Sequence, residues 1–461
     1  MLKNLILSIL ILIVGQSVFA LDIVYPKKND VVINSSASFF VGSANPDEQL
    51  TINGLNVEVH PSGGFVFPVK LVYGVNNFKV KSGSEVVSYN ITRKNIPQLY
   101  SCPAKLVIYP VKQSGRVINE NAVLRSTPQD SGINRIAMLP SDTDLIVDGE
   151  QGGFYRVILG ESKKGWIFKR DVSLSDYSEP TAELLGKEFF ENKDYYIYTF
   201  KLSNRVPWEI EEKNGLKISI FNLKNIDFST YTLHIDKQKM LSGHPLNGYS
   251  AEYIGNDLVF KVRKPVKINH KYPLKGLTIV IDAGHGGKEI GTTGCLGDKE
   301  KDVNLEYAFE LEKILKSRGA NVVMTRNDDT EVSLSERVNI TKKEDAVVFI
   351  SLHGNALPDS VDPTNVHGTE IYYYYNQAKP LAHFIMNEIV KIPETANRGI
   401  IQQSFAVVRN TSALSLLIEV GYMINPADNA LIISEEFRRN IVRAIADGIE
   451  NYFSCLNNCK S

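Results

Sequence analysis

A series of small all-β modules followed by a C-terminal α/β domain is the fold class that this sequence predicts. Three observations predict it. Up to about residue 272, apolar and polar residues alternate with period two in short runs broken by turn signals, as in half-buried antiparallel strands. After residue 275, apolar runs alternate with helical periodicity, the pattern of a central mixed sheet flanked by helices. The length, 461 residues, gives about three domains at roughly 150 residues each. Composition excludes other classes. With 43% apolar and 22% charged residues the chain is an ordinary globular one, neither disordered nor fibrous. A net charge of −1 without a long basic run argues against nucleic acid as a partner, because phosphate contacts need clustered Lys and Arg.

Residues 1–20 read as a signal peptide: Lys3, an apolar run from Leu5 to Val14, then Val18-Phe19-Ala20 with small residues flanking the expected cut. The uncharged stretch from Asn4 to Leu21 is 18 residues, the lower limit for a span, so an uncleaved anchor is the alternative. No cysteine follows the apolar run, which argues against a lipoprotein. The expectation is an exported protein, periplasmic or secreted and cell-wall associated, with no transmembrane span after cleavage. In that compartment Cys455 and Cys459 are near enough in sequence to close a small loop, whereas Cys102 and Cys295 have no obvious partner. A chain of this size does not need such staples.

Residues 21–97 carry Ser38-Phe-Phe-Val-Gly-Ser43, Leu50-Thr-Ile-Asn-Gly54, Gly64-Phe-Val-Phe-Pro-Val-Lys-Leu71 and Asn77-Phe-Lys-Val-Lys81. They predict a small antiparallel sandwich that resembles Ig-like modules of bacterial surface enzymes. Pro97 and Pro103 mark a linker. Residues 105–175 contain Asn121-Ala-Val-Leu-Arg-Ser-Thr-Pro128, Asp142-Thr-Asp-Leu-Ile-Val-Asp148, Gly153-Phe-Tyr-Arg-Val-Ile158 and Gly165-Trp-Ile-Phe-Lys169. Their order resembles a bacterial Src-homology-3-like barrel, a resemblance that implies wall binding and places Trp166 in the core. Residues 180–272 are again strand-like, with Tyr195-Tyr-Ile-Tyr-Thr-Phe-Lys-Leu202, Leu216-Lys-Ile-Ser-Ile-Phe221 and Asp257-Leu-Val-Phe-Lys-Val262. This pattern is similar to β-domains that localise some secreted cell-wall amidases, and it fits a plain spacer equally.

Residues 275–455 form the α/β domain. Leu277–Ile281 predicts a buried strand, and Val303, Ala308, Leu311, Ile314 and Leu315 line one face of a helix ended by Gly319. Further strands are expected at Asn321–Thr325, Val347–Leu352, Thr369–Tyr374 and Leu416–Val420, with helices near Ser335–Lys342, Ala378–Lys391 and Glu435–Tyr452. Gly284-His-Gly286 is followed by Glu289 where a dinucleotide fingerprint needs its third glycine. A Walker loop, Gly-x-Ser-x-Gly and His-Glu-x-x-His are also absent from the sequence. Candidate metal ligands stand instead at strand and helix ends. His285 follows the first strand, Glu300 precedes the next helix and His353 ends an apolar strand. Two imidazoles and a carboxylate suit a catalytic zinc ion with an open fourth position. Glu419 puts a carboxylate into an apolar strand, which is costly without a partner or purpose. Each also has an ordinary structural reading, including a Glu419–Arg409 pair.

Read together and in order, Ile281-Asp-Ala-Gly-His-Gly-Gly287, Gly291, Gly294, Gly297, Glu300-Lys-Asp302, Thr325-Arg326, Leu334-Ser-Glu-Arg337, Ser351-Leu-His-Gly-Asn355 and Glu419-Val-Gly-Tyr-Met-Ile-Asn425 resemble the type-3 catalytic family of zinc-dependent N-acetylmuramoyl-L-alanine amidases. The resemblance implies one zinc ion on His285, Glu300 and His353, with Glu419 as the catalytic carboxylate. Glu289, where the family often has Asp, and Ser412, where Pro is frequent, are small departures. The implied substrate is peptidoglycan, cut at the amide between the lactyl group of N-acetylmuramic acid and L-alanine. The implied role of Glu419 is general base, then acid. Arg409 and Asn355 are candidates for holding substrate, Asn355 also for supporting His353. Glu370 reads as a solvated edge residue or a groove residue, Tyr372–Tyr375 as packing, and Cys295 as an incidental small residue. No long helical insertion fits between His353 and Glu419, so an open groove is expected. The alternatives are a zinc peptidase cutting within the stem peptide and a non-catalytic wall-binding protein.

Overall fold

The computed structural model describes residues 20–94, 104–161, 163–176, 181–224, 226–241 and 243–458. All but the last residue of the expected signal peptide, both linker prolines, Cys102 and Cys459 lie outside the described residues, so the tail disulfide does too. Among the described residues no helix is long and apolar enough to cross a membrane.

The chain is β-rich up to Arg263, with three successive cores. The first unit packs a three-stranded sheet (Asp22–Tyr25, Ala37–Ser43, Gly64–Lys70) on a five-stranded one around Phe40, Phe65, Leu50, Ile52 and Ile91. One of its pairs, Val31–Ile33 with Glu85–Arg93, is parallel, unlike the all-antiparallel pattern expected. The second unit is a seven-stranded antiparallel sheet closed over Leu124, Leu145, Val157 and Ile167, and Trp166 is buried in it. The third pairs a four-stranded and a three-stranded sheet around Phe200, Ile218, Ile220 and Phe260.

The α/β domain follows. Its elements in order are β1 (Thr278–Ala283), α1 (Glu300–Ser317), β2 (Asn321–Met324), α2 (Leu334–Lys343), β3 (Val348–Asn355) and β4 (Thr369–Tyr373). Then come α3 (Lys379–Ile389), β5 (Asn397–Gln402), β6 (Leu414–Tyr422), α4 (Pro426–Ile432) and α5 (Glu435–Asn458). The strands form one mixed sheet in the order β2-β1-β3-β6-β4-β5. The first four are mutually parallel, β4 is antiparallel to β6, and β5 is parallel to β4. The C-terminal ends of β1, β3 and β6 therefore share an edge with the start of β4. α1 ends as expected, with Gly319 in the left-handed conformation (φ 89°) just past its cap.

Helices α3 and α5 cross so closely that Gly448 lies against the other backbone: a Cβ there would stand 2.4 Å from Ile385 Cα. That contact explains a glycine in mid-helix. Alanine would gain about 1 kcal/mol of helix propensity, but overpacking costs about 1–3 kcal/mol and occasionally more. Gly448→Ala is therefore expected to lower stability, by up to about 2 kcal/mol, in denaturant titration, whereas propensity alone would raise it.

Candidate metal centre and catalytic carboxylate

The site is built on the shared sheet edge. β1 runs Thr278-Ile-Val-Ile-Asp-Ala283 and delivers a carboxylate, Asp282, into the apolar interior. Asp282 is opposite Ser351 of β3, whose Oγ donates to its Oδ2 at 2.6 Å. Thr325 Oγ1, just past β2, donates to Oδ1 at 2.6 Å. Arg337 of α2 closes the cluster as an ion pair with Asp282, both side chains buried.

The same guanidinium and that of Arg326 then hold the loop after β1. Arg337 donates to Ala283 O and His285 O, each at 2.9 Å. Arg326 donates to Ala283 O at 2.9 Å, Gly284 O at 3.1 Å and Lys301 O at 2.7 Å. Three successive carbonyls are thus fixed, and His285 is held at φ 62°, a conformation that costs a non-glycine residue about 1–3 kcal/mol. The sequence pattern named Arg326 and Arg337 as motif residues without a role, and Asp282 likewise. An acidic residue in an apolar strand, with two arginines downstream, was the available signal.

The loop brings His285 to Glu300, the first residue of α1, with Nε2 3.1 Å from Oε1. His353, near the end of β3, places Nδ1 2.9 Å from the same oxygen, and the two imidazole rings stand 5.0 Å apart at 78°. The three ligand atoms lie within 4.8 Å of one another. Ligands of a tetrahedral zinc ion at about 2.1 Å stand roughly 3.4 Å apart, so this donor set fits zinc with little adjustment. Close approach depends on Gly284, where a Cβ would lie 2.2 Å from the His353 ring. Burial by itself raises the Glu300 carboxyl, but hydrogen bonds from His285 and His353 outweigh it and hold the group well below the usual range. Asn304 donates to Gly284 O at 3.2 Å and Glu300 Oε1 at 3.3 Å, linking loop and ligand.

Glu419 of β6 is the register partner of His353 on one side and of Glu370 on the other. Its Oε2 is buried with no hydrogen-bond partner among the described residues. Burial first, then the charges of Glu300 and Glu370, raises its pKa well above the ordinary carboxyl value. Glu370 corrects the reading of a solvated edge residue: it is buried, because β5 covers β4 from outside. It accepts from Arg398 Nε at 3.0 Å, Tyr422 OH at 2.9 Å, Asn355 Nδ2 at 3.1 Å and the Tyr372 hydroxyl. Asn355 therefore lies at the site edge but is bonded to Glu370. Arg409 is not brought into this group. It precedes β6, at the opposite end of that strand from Glu419, and donates to Ser404 O at 2.7 Å and Oγ at 3.0 Å. Tyr373 and Tyr374 are buried in packing, and Cys295 is buried with Sγ 3.2 Å from Ile424 O.

Residues 279–451 match the family model described as N-acetylmuramoyl-L-alanine amidase. The chain is 41% identical over 184 residues to the probable cell wall amidase LytH of Staphylococcus epidermidis, covering 40% of this chain and 60% of that protein. Against the protein of the same name in Staphylococcus aureus it is 40% identical over 186 residues, covering 40% and 61%. The chain thus spans about three fifths of the length of these curated relatives. Among solved structures it is similar to the N-acetylmuramoyl-L-alanine amidase AmiC2 of Nostoc punctiforme, at 39% identity over 39% of this chain and 98% of that one, TM-score 0.37. The catalytic domain of CwlV from Bacillus (Paenibacillus) polymyxa var. colistinus is 36% identical, over 38% of this chain and 97% of that one, TM-score 0.36.

Two outcomes follow from the geometry. Gly284→Ala is expected to weaken zinc binding at least about tenfold in competition with a chromophoric chelator, because the added methyl displaces the His353 ring. In the metal-free native state the Glu419 carboxyl is raised above its ordinary pKa of 4.5, so above that value folding favours proton uptake and stability declines as pH rises. In chelator, Glu419→Gln is therefore expected to be more stable than the parent, by a margin wider near about pH 8 than near about pH 5. Equal margins at both pH values in thermal melts would contradict this.

Proposed function

The chain carries an N-acetylmuramoyl-L-alanine amidase domain over residues 279–451, and we propose that this domain is a zinc hydrolase of peptidoglycan. The observation that carries the reading is a candidate ligand triad, His285, Glu300 and His353, beside a buried carboxylate oxygen of Glu419 that has no hydrogen-bond partner among the described residues. The bond proposed to break is the amide between the lactyl carbonyl of N-acetylmuramic acid and the nitrogen of L-alanine. When bound, zinc supplies Lewis acidity, which makes water a nucleophile near neutral pH and polarises the carbonyl.

The chain's own groups do the rest. Glu419 Oε2 takes a proton from the attacking water and returns it to the departing alanine nitrogen, so that water's oxygen ends on the lactyl carbon and the stem peptide leaves as a free amine. A carboxyl raised by its surroundings is suited to both transfers near neutral pH. Asn355 stays in the proposal as a substrate contact at the site edge, whereas the position of Arg409 gives it no such part. The proposed setting is outside the cytoplasm, at the cell wall. The Ig-like and Src-homology-3-like readings of the first two modules and the localising role of the third belong to the same proposal.

The full chain incubated with purified peptidoglycan is expected to release intact stem peptides, identified by mass, and to leave uncut glycan. Chelator should abolish release and zinc should restore it. Glu419→Gln should retain zinc yet lower kcat at least about a hundredfold, the lower range for a general acid–base. Peptides cut within the stem would assign a peptidase instead, and a zinc-loaded chain that binds wall without release would assign a binding protein.

A further inference from the structure

The strand Ala37–Ser43 of the first β-unit is apolar on both faces, although only one face meets its own core. Phe40 points into that core. Phe39 and Val41 point the other way and, with Tyr25 and Val66, surround Cys295, Ile424 and Leu357 of the α/β domain. Val41 and Cys295 are completely buried there. Gly64 completes the contact, since a Cβ on it would stand 3.1 Å from Cys295 Cβ and 3.4 Å from Pro426 Cβ. Two hydroxyls, Tyr25 OH at 2.7 Å and Ser38 Oγ at 2.6 Å, both donate to Asp359 Oδ1.

The three segments touched are the three that carry or follow the site groups. Cys295 is in the loop joining His285 to Glu300, Leu357 and Asp359 follow His353, and Ile424 and Pro426 follow Glu419. The first loop passes the contact inward. Cys295 is bonded to the exit of β6 through N to Met423 O at 3.2 Å, and Leu296 N reaches Asn429 Oδ1 at 3.1 Å. At the inner end of the loop Thr292 N donates to Glu300 Oε2 at 2.8 Å, and Gly291 packs on the same carboxylate. A continuous packed path thus runs from Val41 through Cys295 to a ligand of the proposed zinc.

We propose that the first β-unit is a positioning element of the metal centre, its outward Phe39, Val41 and Tyr25, together with the Ser38 hydroxyl on Asp359, bracing the three site-bearing loops and so setting the affinity for zinc. The proposal rests on the zinc reading of the site. Phe39 and Val41 lie outside the unit's own core cluster, so shortening them leaves that core in place.

The test uses the full chain. Zinc dissociation constants are measured by competition with a chromophoric chelator, together with the rate of zinc loss to excess chelator. Circular dichroism confirms that each variant is folded under the same conditions. Phe39→Ala with Val41→Ala is expected to weaken zinc binding about tenfold, the lower range for loss of outer support of a ligand, and to speed zinc loss. Phe39→Leu, which keeps the face apolar, should bind as the parent does. If the double alanine variant does not fold, Tyr25→Phe with Ser38→Ala removes both hydroxyls from Asp359 without opening a large cavity and should weaken binding in the same direction. A parent that binds zinc, with folded variants that bind and release it equally, overturns the brace alone. A parent that binds no zinc overturns the metal reading and the brace together.

Discussion

The buried ion pair between Asp282 and Arg337 is the constraint on which the site depends. A carboxylate inside an apolar strand is destabilising unless it is fully partnered, and loss of one partner of such a pair costs about 3–5 kcal/mol. Here the partners come from the sheet itself: Ser351 on one neighbouring strand, Thr325 beyond the other, and Arg337 from α2. The pair is therefore a by-product of correct strand order, since only β2-β1-β3 places Thr325 and Ser351 on opposite sides of Asp282. Once anchored, Arg337 has donors left over, and they go to the loop carbonyls that define where His285 stands. Arg326 supplies the remainder. The strain at His285 is held by guanidinium-to-carbonyl bonds that exist only when the sheet has formed, so the geometry of the candidate metal site is tied to folding of the domain core.

A second asymmetry gives the site its chemistry. Glu370 and Glu419 are register partners on adjacent strands, two carboxylates side by side in a largely closed setting. Four donors converge on Glu370, whereas Glu419 Oε2 receives none. When two like charges compete, the proton goes to the group whose charged form has less support. In the proposed reading Glu419 is the proton carrier, and burial together with the neighbouring charges of Glu300 and Glu370 raises its pKa. This division rests on β5: without that outer strand, Arg398 would not stand beside Glu370.

Most of the framework of the candidate site was legible because its signals are local. Buried parallel strands read as apolar runs, one helix end shows as Gly319, and the candidate ligands sit at or near the ends of strands and the start of a helix. β5 was not legible. Asn397-Arg-Gly-Ile-Ile-Gln402 has two apolar residues and a glycine, as an edge strand half open to solvent requires no more. That omission explains the misreading of Glu370, which is an edge residue only if β4 is the last strand. Arg409 was weighed as a partner for Glu419 from its nearness in sequence, but the length of β6 separates them. The arginine cage was hidden for a different reason: carbonyl acceptors have no signature in side-chain pattern, so the targets of Arg326 and Arg337 appear only in three dimensions.

The three β-units meet the α/β domain at different ends of its sheet, and that decides which can act on the site. Arg263 of the third unit bonds Asp345 and Ala346 O, which precede β3. Tyr249 N of the same unit donates to Thr411 O, which precedes β6. Tyr374, just past β4, donates to Gly132 O of the second unit. Because β4 runs against β6, all these contacts lie at the end of the sheet away from His285, His353 and Glu419. Among the described residues, the first unit packs at the edge where His285, His353 and Glu419 stand. Contacts at the far end touch segments that precede β3 and β6 or follow β4, and none of the three site-bearing loops. A face placed directly on the loops selects among them. The doubly apolar strand Ala37–Ser43 is consequently explained by its position: a sandwich serving only as a tether would have kept Phe39 and Val41 polar.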